Sequence, residues 1–173
     1  MPSDPRAVDL IELPARAIDA LAAGDLGAAN AAAPVLLTTF LIEPAPRRTW
    51  QMRSEQIAAH PADAAWITRV ILDPSRNVVV GQAGFHGPPD EAGMVEVGYS
   101  VDPAHRRQGY ARAALEALLA RAKHEPEVST VRATISPDNV ISRDLVLQHG
   151  FVEVGEQWDD EDGLEIIYEI AAG

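Results

Sequence analysis

The chain reads as an α/β protein built on a mixed sheet, and three observations predict that class. Strand-like segments at 66–72, 78–85 and 94–101 are separated only by short turns. Apolar spacing then switches from alternation to helical period over 109–123, and residues 152–170 read as a β-hairpin.

Taken in order, residues 8–13 read as a strand, 15–23 as a helix closed at Gly24, and 46–60 as a helix that stops before Pro61. The alanine-rich stretch between those helices is ambiguous. Residues 66–72 form a strand, Asp73-Pro-Ser-Arg-Asn77 a turn, and 78–85 the next strand. A second turn-rich stretch, 87–93, leads into the strand 94–101, which completes an antiparallel meander. Ala111, Ala114, Leu115, Leu118, Leu119 and Ala122 recur at helical spacing and give a helix over 109–123 with one apolar face. A strand at 131–135 follows. Strand, helix and strand make a crossover unit, so 94–101 and 131–135 should run parallel. Asp138 and Asn139 are good caps for a second helix, which ends at Gly150 in a left-handed turn before the apolar Phe151. Strands at 152–158 and 164–170 flank an acidic turn whose Asp162-Gly163 favours a hairpin.

Composition narrows the function. The 173 residues suit one domain able to bury a core without staples. With no cysteine, disulfides, thiolate nucleophiles and cysteine-bound zinc are excluded. Against 26 acidic residues stand 14 basic ones, and a net charge of −12 argues against general nucleic-acid binding. The apolar run 31–42 is broken by Pro34 and is too short for a bilayer, so no membrane role is expected. The start, Met1-Pro-Ser-Asp-Pro-Arg, lacks a secretory layout, and a cytoplasmic protein is the expectation. The charge is uneven: residues 101–123 hold five basic and two acidic side chains, whereas 144–173 hold none and nine. The bland reading of either is a solvated surface.

The basic segment, Val101-Asp-Pro-Ala-His-Arg106-Arg107-Gln108-Gly109-Tyr110-Ala111, joins a strand to a helix N-terminus. Such a terminus exposes unpaired N–H groups and accepts anions. Gly109 would let a phosphate approach the backbone, and small Ala111 would pack the helix on the sheet. There is no Gly-Lys-Ser/Thr and no Gly-x-Gly-x-x-Gly, which excludes the nucleotide P-loop and the Rossmann fingerprint.

Arg106-Arg-Gln-Gly-Tyr-Ala111, together with Asn139-Val-Ile-Ser142 and His149-Gly-Phe151, resembles the two signatures of the GNAT superfamily of acyl-CoA-dependent N-acyltransferases. The likeness is to the branch of ribosomal-protein N-terminal acetyltransferases and bacterial small-amine acetyltransferases. It implies a single N-acetyltransferase domain over 1–173, with 1–65 as a substrate-side segment and 66–170 as the cofactor-binding core. The implied fold is a GNAT-type mixed central sheet with antiparallel meander, βαβ crossover and C-terminal β-hairpin.

The implied cosubstrate is acetyl-CoA, with no metal. Its pyrophosphate would rest on Arg106, Arg107, Gln108, Gly109, Ala111 and Arg112, and its pantetheine arm on backbone at Ser100 and Val101. Asn139 and Ser142 match positions near the arm or the sulfur. The family's habit makes a homodimer an expectation.

Amide formation from a thioester needs an unprotonated amine, a held oxyanion and an exit for the thiolate. With no cysteine, direct attack by a primary amine, small or peptide N-terminal, is expected. Glu96, a carboxylate in an apolar strand, is the candidate base; burial would raise its pKa and a bridging water could carry the proton. Its competing reading is a surface or substrate-positioning carboxylate. A backbone N–H near Val101 is the expected oxyanion donor. Many relatives carry a tyrosine acid where this chain has Val146, which leaves the Ser142 hydroxyl or water as donor, with Tyr99 and Tyr110 as alternatives. Val146 also sustains a competing reading, a regulatory acyl-CoA-binding module without turnover; a scaffold with no ligand is a third.

His86 and His105 could titrate near neutrality, with His86 read chiefly as a turn residue and His149 as structural at its helix end. Trp50, Trp66 and Trp158 read as core or groove walls. The acidic turn Asp159-Asp-Glu-Asp162 is either solvated or steers a cationic acceptor, which Asp159→Asn with Asp160→Asn and a salt series would decide.

Overall fold

Proline, glycine and capping carboxylates set most element boundaries, as the computed structural model, which describes residues 6–173, makes visible. The start read above as unlike a secretory leader lies, in residues 1–5, outside the described residues. The order is β1 (Asp9–Ile11), α1 (Ala15–Ala23), α2 (Leu26–Ala32), α3 (Pro44–Ala59), β2 (Arg69–Asp73), β3 (Val78–Phe85), β4 (Met94–Val101), α4 (Tyr110–His124), β5 (Thr130–Ile135), α5 (Val140–Gln148), β6 (Val152–Asp159) and β7 (Gly163–Ala171). The strands follow the order β1-β2-β3-β4-β5-β7-β6 in a mixed sheet, as the sequence predicts. The chain divides into two units, one of Met1–Pro88 with Gly98–Ala117 and one of Pro89–Val97 with Leu118–Gly173.

In the first unit, α1 buries Ala17, Ile18 and Leu21 on one face. Gly24, at φ 76°, closes it: the Gly24 N–H donates to Leu21 and the Asp25 N–H to Ala20. Asp25 then caps α2, its carboxylate accepting from the Ala28 N–H at 2.9 Å. This helix fills the alanine-rich stretch that the sequence leaves ambiguous. Only Ala29 on it is buried, so it shows no apolar stripe to read.

Helix α3 starts two residues before the expected 46 because Pro44 fits the first helical position, where its missing N–H costs nothing. It ends before Pro61, as expected. Its Arg47 donates to the Ala22 carbonyl at the end of α1. Ile18, Leu21, Leu41, Trp50, Ile67 and Val70 belong to one buried cluster. Each such side chain stabilises by roughly 1.5–3 kcal/mol.

β2 begins at Arg69 rather than at 66. A 3-10 turn, Pro61–Ala65, holds Trp66 in helical backbone, its N–H bonded to the Asp63 carbonyl, so the chain cannot extend until after it. β2 and β3 pair antiparallel, and their turn uses Asn77 at φ 53°. Where β3 lies beside the end of β4 the backbones nearly touch. A Cβ at Gly81 would sit 2.2 Å from the Ser100 carbonyl oxygen and 3.0 Å from the Val101 Cα.

In the second unit, Asp90 accepts from the Ala92 and Met94 N–H groups and sets the entry to β4. β4 pairs with β5 in parallel, Glu96 against Arg132, which confirms the crossover through α4. β7 pairs antiparallel with β5 and with β6, so the expected terminal hairpin is present. Buried side chains here include Val95, Val131, Ala133, Leu145, Val146 and Phe151. Every residue of β6 before Asp159 is exposed.

Among the described residues no helix is long and apolar enough to cross a membrane. Because nothing soft faces Gly81, Gly81→Ala must push β4 aside at Ser100. It should lower stability by roughly 1–3 kcal/mol in urea unfolding, and an unchanged midpoint would refute the close approach.

Candidate active site

The junction from β4 to α4 is built inside the first unit. Asp102 is fixed twice: its N–H donates to the Val80 carbonyl at 2.8 Å, and its carboxylate accepts from the Ala104 N–H at 2.9 Å. A short turn, Pro103–His105, follows, and the exposed Arg106 bends back to donate from Nε to the Val101 carbonyl at 3.1 Å. Arg107 is exposed at φ 62°, and Gly109 stands at φ 85°. The left-handed backbone is what requires glycine at 109. Arg6 lies in ordinary contact with the place its Cβ would fill.

The residue that seats the helix is Tyr110, not Ala111. Tyr110 is buried, whereas Ala111 is only half-buried. The Tyr110 hydroxyl donates to Asp73 Oδ2 at 2.5 Å and accepts from the Arg76 guanidinium at 3.2 Å. His105 meets the same ring edge-on at 6.3 Å between centroids. This engages Tyr110 in structure and removes it as an alternative proton donor.

Asp73 is 1% exposed and collects donors from Ser75 Oγ at 2.6 Å, the Ser75 and Arg76 N–H groups, and Tyr110. The Ser75 hydroxyl, ahead of that of Tyr110, holds its carboxyl down at about 2, against the opposing effect of burial. Arg6 approaches the same carboxylate at 3.8 Å.

In the second unit, Glu96 is half-buried and accepts from Thr134 Oγ1 at 2.6 Å. Next to Thr134 on the same face, Arg132 grips Glu169 with two bonds, 2.9 and 2.5 Å. Asn139 caps α5, accepting from the Ser142 N–H at 3.3 Å, so the Asn-x-x-Ser signature is joined by a hydrogen bond of its own. Val146 is fully buried, so this position points inward rather than towards solvent. Burial, ahead of the nearby Glu153 charge, pushes the Tyr168 hydroxyl above the usual phenol range. The N–H groups of Asp162 and Glu161 hold the Asp159 carboxyl below its ordinary range, so Asp159 organises the acidic turn. No group of three or more metal-binding side chains occurs among the described residues.

A model of the acetyltransferase (GNAT) domain matches residues 16–152. The chain belongs to the GNAT acetyltransferase family. Over 83 residues it is 35% identical to an uncharacterized N-acetyltransferase, YjdG, of Bacillus subtilis (strain 168), covering 48% of this chain and 49% of that protein. It is 34% identical over 98 residues to the L-2,4-diaminobutyric acid acetyltransferase of Streptomyces anulatus, covering 50% and 56%. The chain spans about half the length of the curated relatives it matches. In fold it is similar to a spermidine N-acetyltransferase SpeG chimera from Vibrio cholerae and hSSAT, with a TM-score of 0.67, 16% identity and 95% of each chain covered.

Within this GNAT chain, Ser100, Val101, Arg106, Arg107, Gln108, Gly109, Ala111 and Arg112 lie in the first unit, and Glu96, Asn139 and Ser142 in the second. His86 is an exposed turn residue, as expected; its Nε2 lies 2.9 Å from where a Gly98 Cβ would be, which explains that strand glycine. His149 accepts its structural reading, with Nδ1 2.9 Å from the Leu145 carbonyl. Trp50 is core and Trp66 packs on Phe85, but Trp158 is 74% exposed and is no core residue. The reason is its place on the outer strand β6.

Residues that the motif reading missed are Arg6, Asp73 and Arg76 around the loop and Thr134 on Glu96. Asp73, opening an Asp-Pro-Ser turn, carried a local signal; Arg6 carried none. Because the Asp73 carboxyl titrates lower in the folded chain, its contribution is complete above pH 3.8 and is lost as pH falls from 3.8 to about 2. Asp73→Asn should flatten stability over that window in acid titrations followed by circular dichroism. Tyr110→Phe should cost roughly 1.5–3 kcal/mol at neutral pH in urea unfolding, since it removes a donor from a buried charge.

Proposed function

We propose that the chain is an N-acetyltransferase that moves an acetyl group from acetyl-CoA to a primary amine, a small amine or a peptide N-terminus, by direct attack in a ternary complex. The observation that carries this reading is the loop 102–109, a cationic, left-handed entry to α4 in a chain of the GNAT family. The donor set fits a polyphosphate: two exposed guanidinium groups on a loop that opens a helix N-terminus. Arg106, Arg107, Gln108, Gly109, Ala111 and Arg112 would hold the pyrophosphate, with backbone at Ser100 and Val101 and side chains at Asn139 and Ser142 assigned to the arm. When bound, acetyl-CoA supplies an acyl group activated as a thioester. The whole chain is read as one domain, its first 65 residues serving the acceptor.

Each remaining step belongs to the chain's own groups. Glu96 takes the proton that the amine must lose, and Thr134, donating to Oε1, orients the carboxylate for it. A backbone N–H at Val101 holds the oxygen that gains charge. Ser142, or water, returns a proton to the leaving sulfur, which needs little help because a coenzyme thiol titrates only about one or two units above neutrality. The two curated relatives are acetyltransferases by name, and diaminobutyric acid, named for one of them, is an amine; both facts support the reaction class and leave the acceptor to experiment.

Free-thiol release over a panel of amines and peptides tests the reading, with Glu96→Gln beside the wild type. The variant should lose about 10²-fold in kcat/KM. Full turnover by Glu96→Gln from pH 6 to 9 would overturn the base assignment. CoA binding by calorimetry without thiol release on any amine would favour the regulatory module.

A further inference from the structure

We infer that Arg6 is a positioning residue for the coenzyme's phosphates, presetting the backbone of loop 106–110 from outside the motif. This deepens the function proposed above and rests on acyl-CoA occupying that loop.

Arg6 meets three consecutive residues at the head of α4. Its Nε donates to the Gln108 carbonyl at 3.1 Å, 102 positions away in sequence. Its stem lies 3.9 to 4.0 Å from where the Gly109 Cβ would stand. Its guanidinium carbon lies 5.0 Å from the centre of the Tyr110 ring, a cation–π distance. Nη1 reaches Asp73 at 3.8 Å, and Asp73 in turn holds the Tyr110 hydroxyl. One side chain therefore ties the segment before β1 to the β2–β3 turn and to the loop.

The consequence follows from peptide planarity. In a trans peptide the C=O of residue 108 and the N–H of residue 109 point in opposite directions. Holding the Gln108 carbonyl on Arg6 turns it away from an incoming anion and aims the Gly109 N–H at the opposite side. Arg107 and Gly109 both adopt left-handed backbone, which a chain does not hold without support, and for Arg107 not even glycine's freedom helps. A preset loop binds its anion without first being ordered, and affinity rises accordingly. Arg6 is 38% exposed, its guanidinium already engaged by Gln108, Tyr110 and Asp73, so its part is to shape the loop.

The test uses the full chain with Arg6→Ala and Arg6→Lys. In the ligand-free protein, amide hydrogen exchange at 108–110 should accelerate about ten-fold in Arg6→Ala, while β5 and β7 exchange as in the wild type, showing that the fold persists. Calorimetry with CoA should show a Kd weakened about ten-fold, the size expected for losing a hydrogen bond from a charged group. Arg6→Lys keeps the charge but not the planar fork, and should restore little of either. Full recovery of affinity by Arg6→Lys would mean simple charge attraction and overturn the inference. So would unchanged exchange at 108–110 in Arg6→Ala. Absence of CoA binding by the wild type would instead sink the function proposed above, and with it the coenzyme half of this inference, while exchange in the ligand-free protein would still decide the positioning half.

Discussion

A carboxylate taken out of water must be surrounded by donors, and Asp73 imposes that requirement on the first unit. Its donors come from three places in the chain: the turn after β2, the first residue of α4, and the segment before β1. Satisfying one buried charge thus fixes where the β2–β3 turn folds, where α4 begins, and how the loop ahead of it is held. The same arrangement explains why Tyr110 is buried at a helix start, a position more often solvated.

The fold was legible where one residue type forces one conformation. Gly24, Pro61 and Gly150 end helices for reasons of backbone stereochemistry, and the structure places those ends as read. The strands β3 and β4 match the reading residue for residue because turns bound them on both sides. Failure came where sequence carries no contrast. Helix α2 is alanine-rich and buries only Ala29, so no apolar stripe marks it. At 66–68 the β-branched and aromatic residues favour a strand, but the 3-10 turn from Pro61 runs into Trp66 and delays extension to Arg69.

The candidate site divides in the same way. Arg106 to Ala111 and Asn139 to Ser142 could be proposed from sequence because each group is contiguous and family signatures are short. Their supports were not. Thr134 meets Glu96 across 38 positions and Arg6 meets Gln108 across 102, and neither pairing has a trace in local pattern. Gly109 is in addition required by its own φ of 85°, which no short motif states.

The outer strand β6 carries a consequence of a different kind. An edge strand offers unpaired backbone groups to any other strand, and this one is exposed along its length with Val152, Val154 and Trp158 bare. Interleaved with them are Glu153, Glu156 and Asp159, in a thirty-residue stretch without one basic side chain. At neutral pH these carboxylates place like charge opposite like charge whenever two such edges approach each other in register. The acidity of the C-terminal stretch therefore acts as colloidal protection, keeping sticky strands of separate molecules from zipping together.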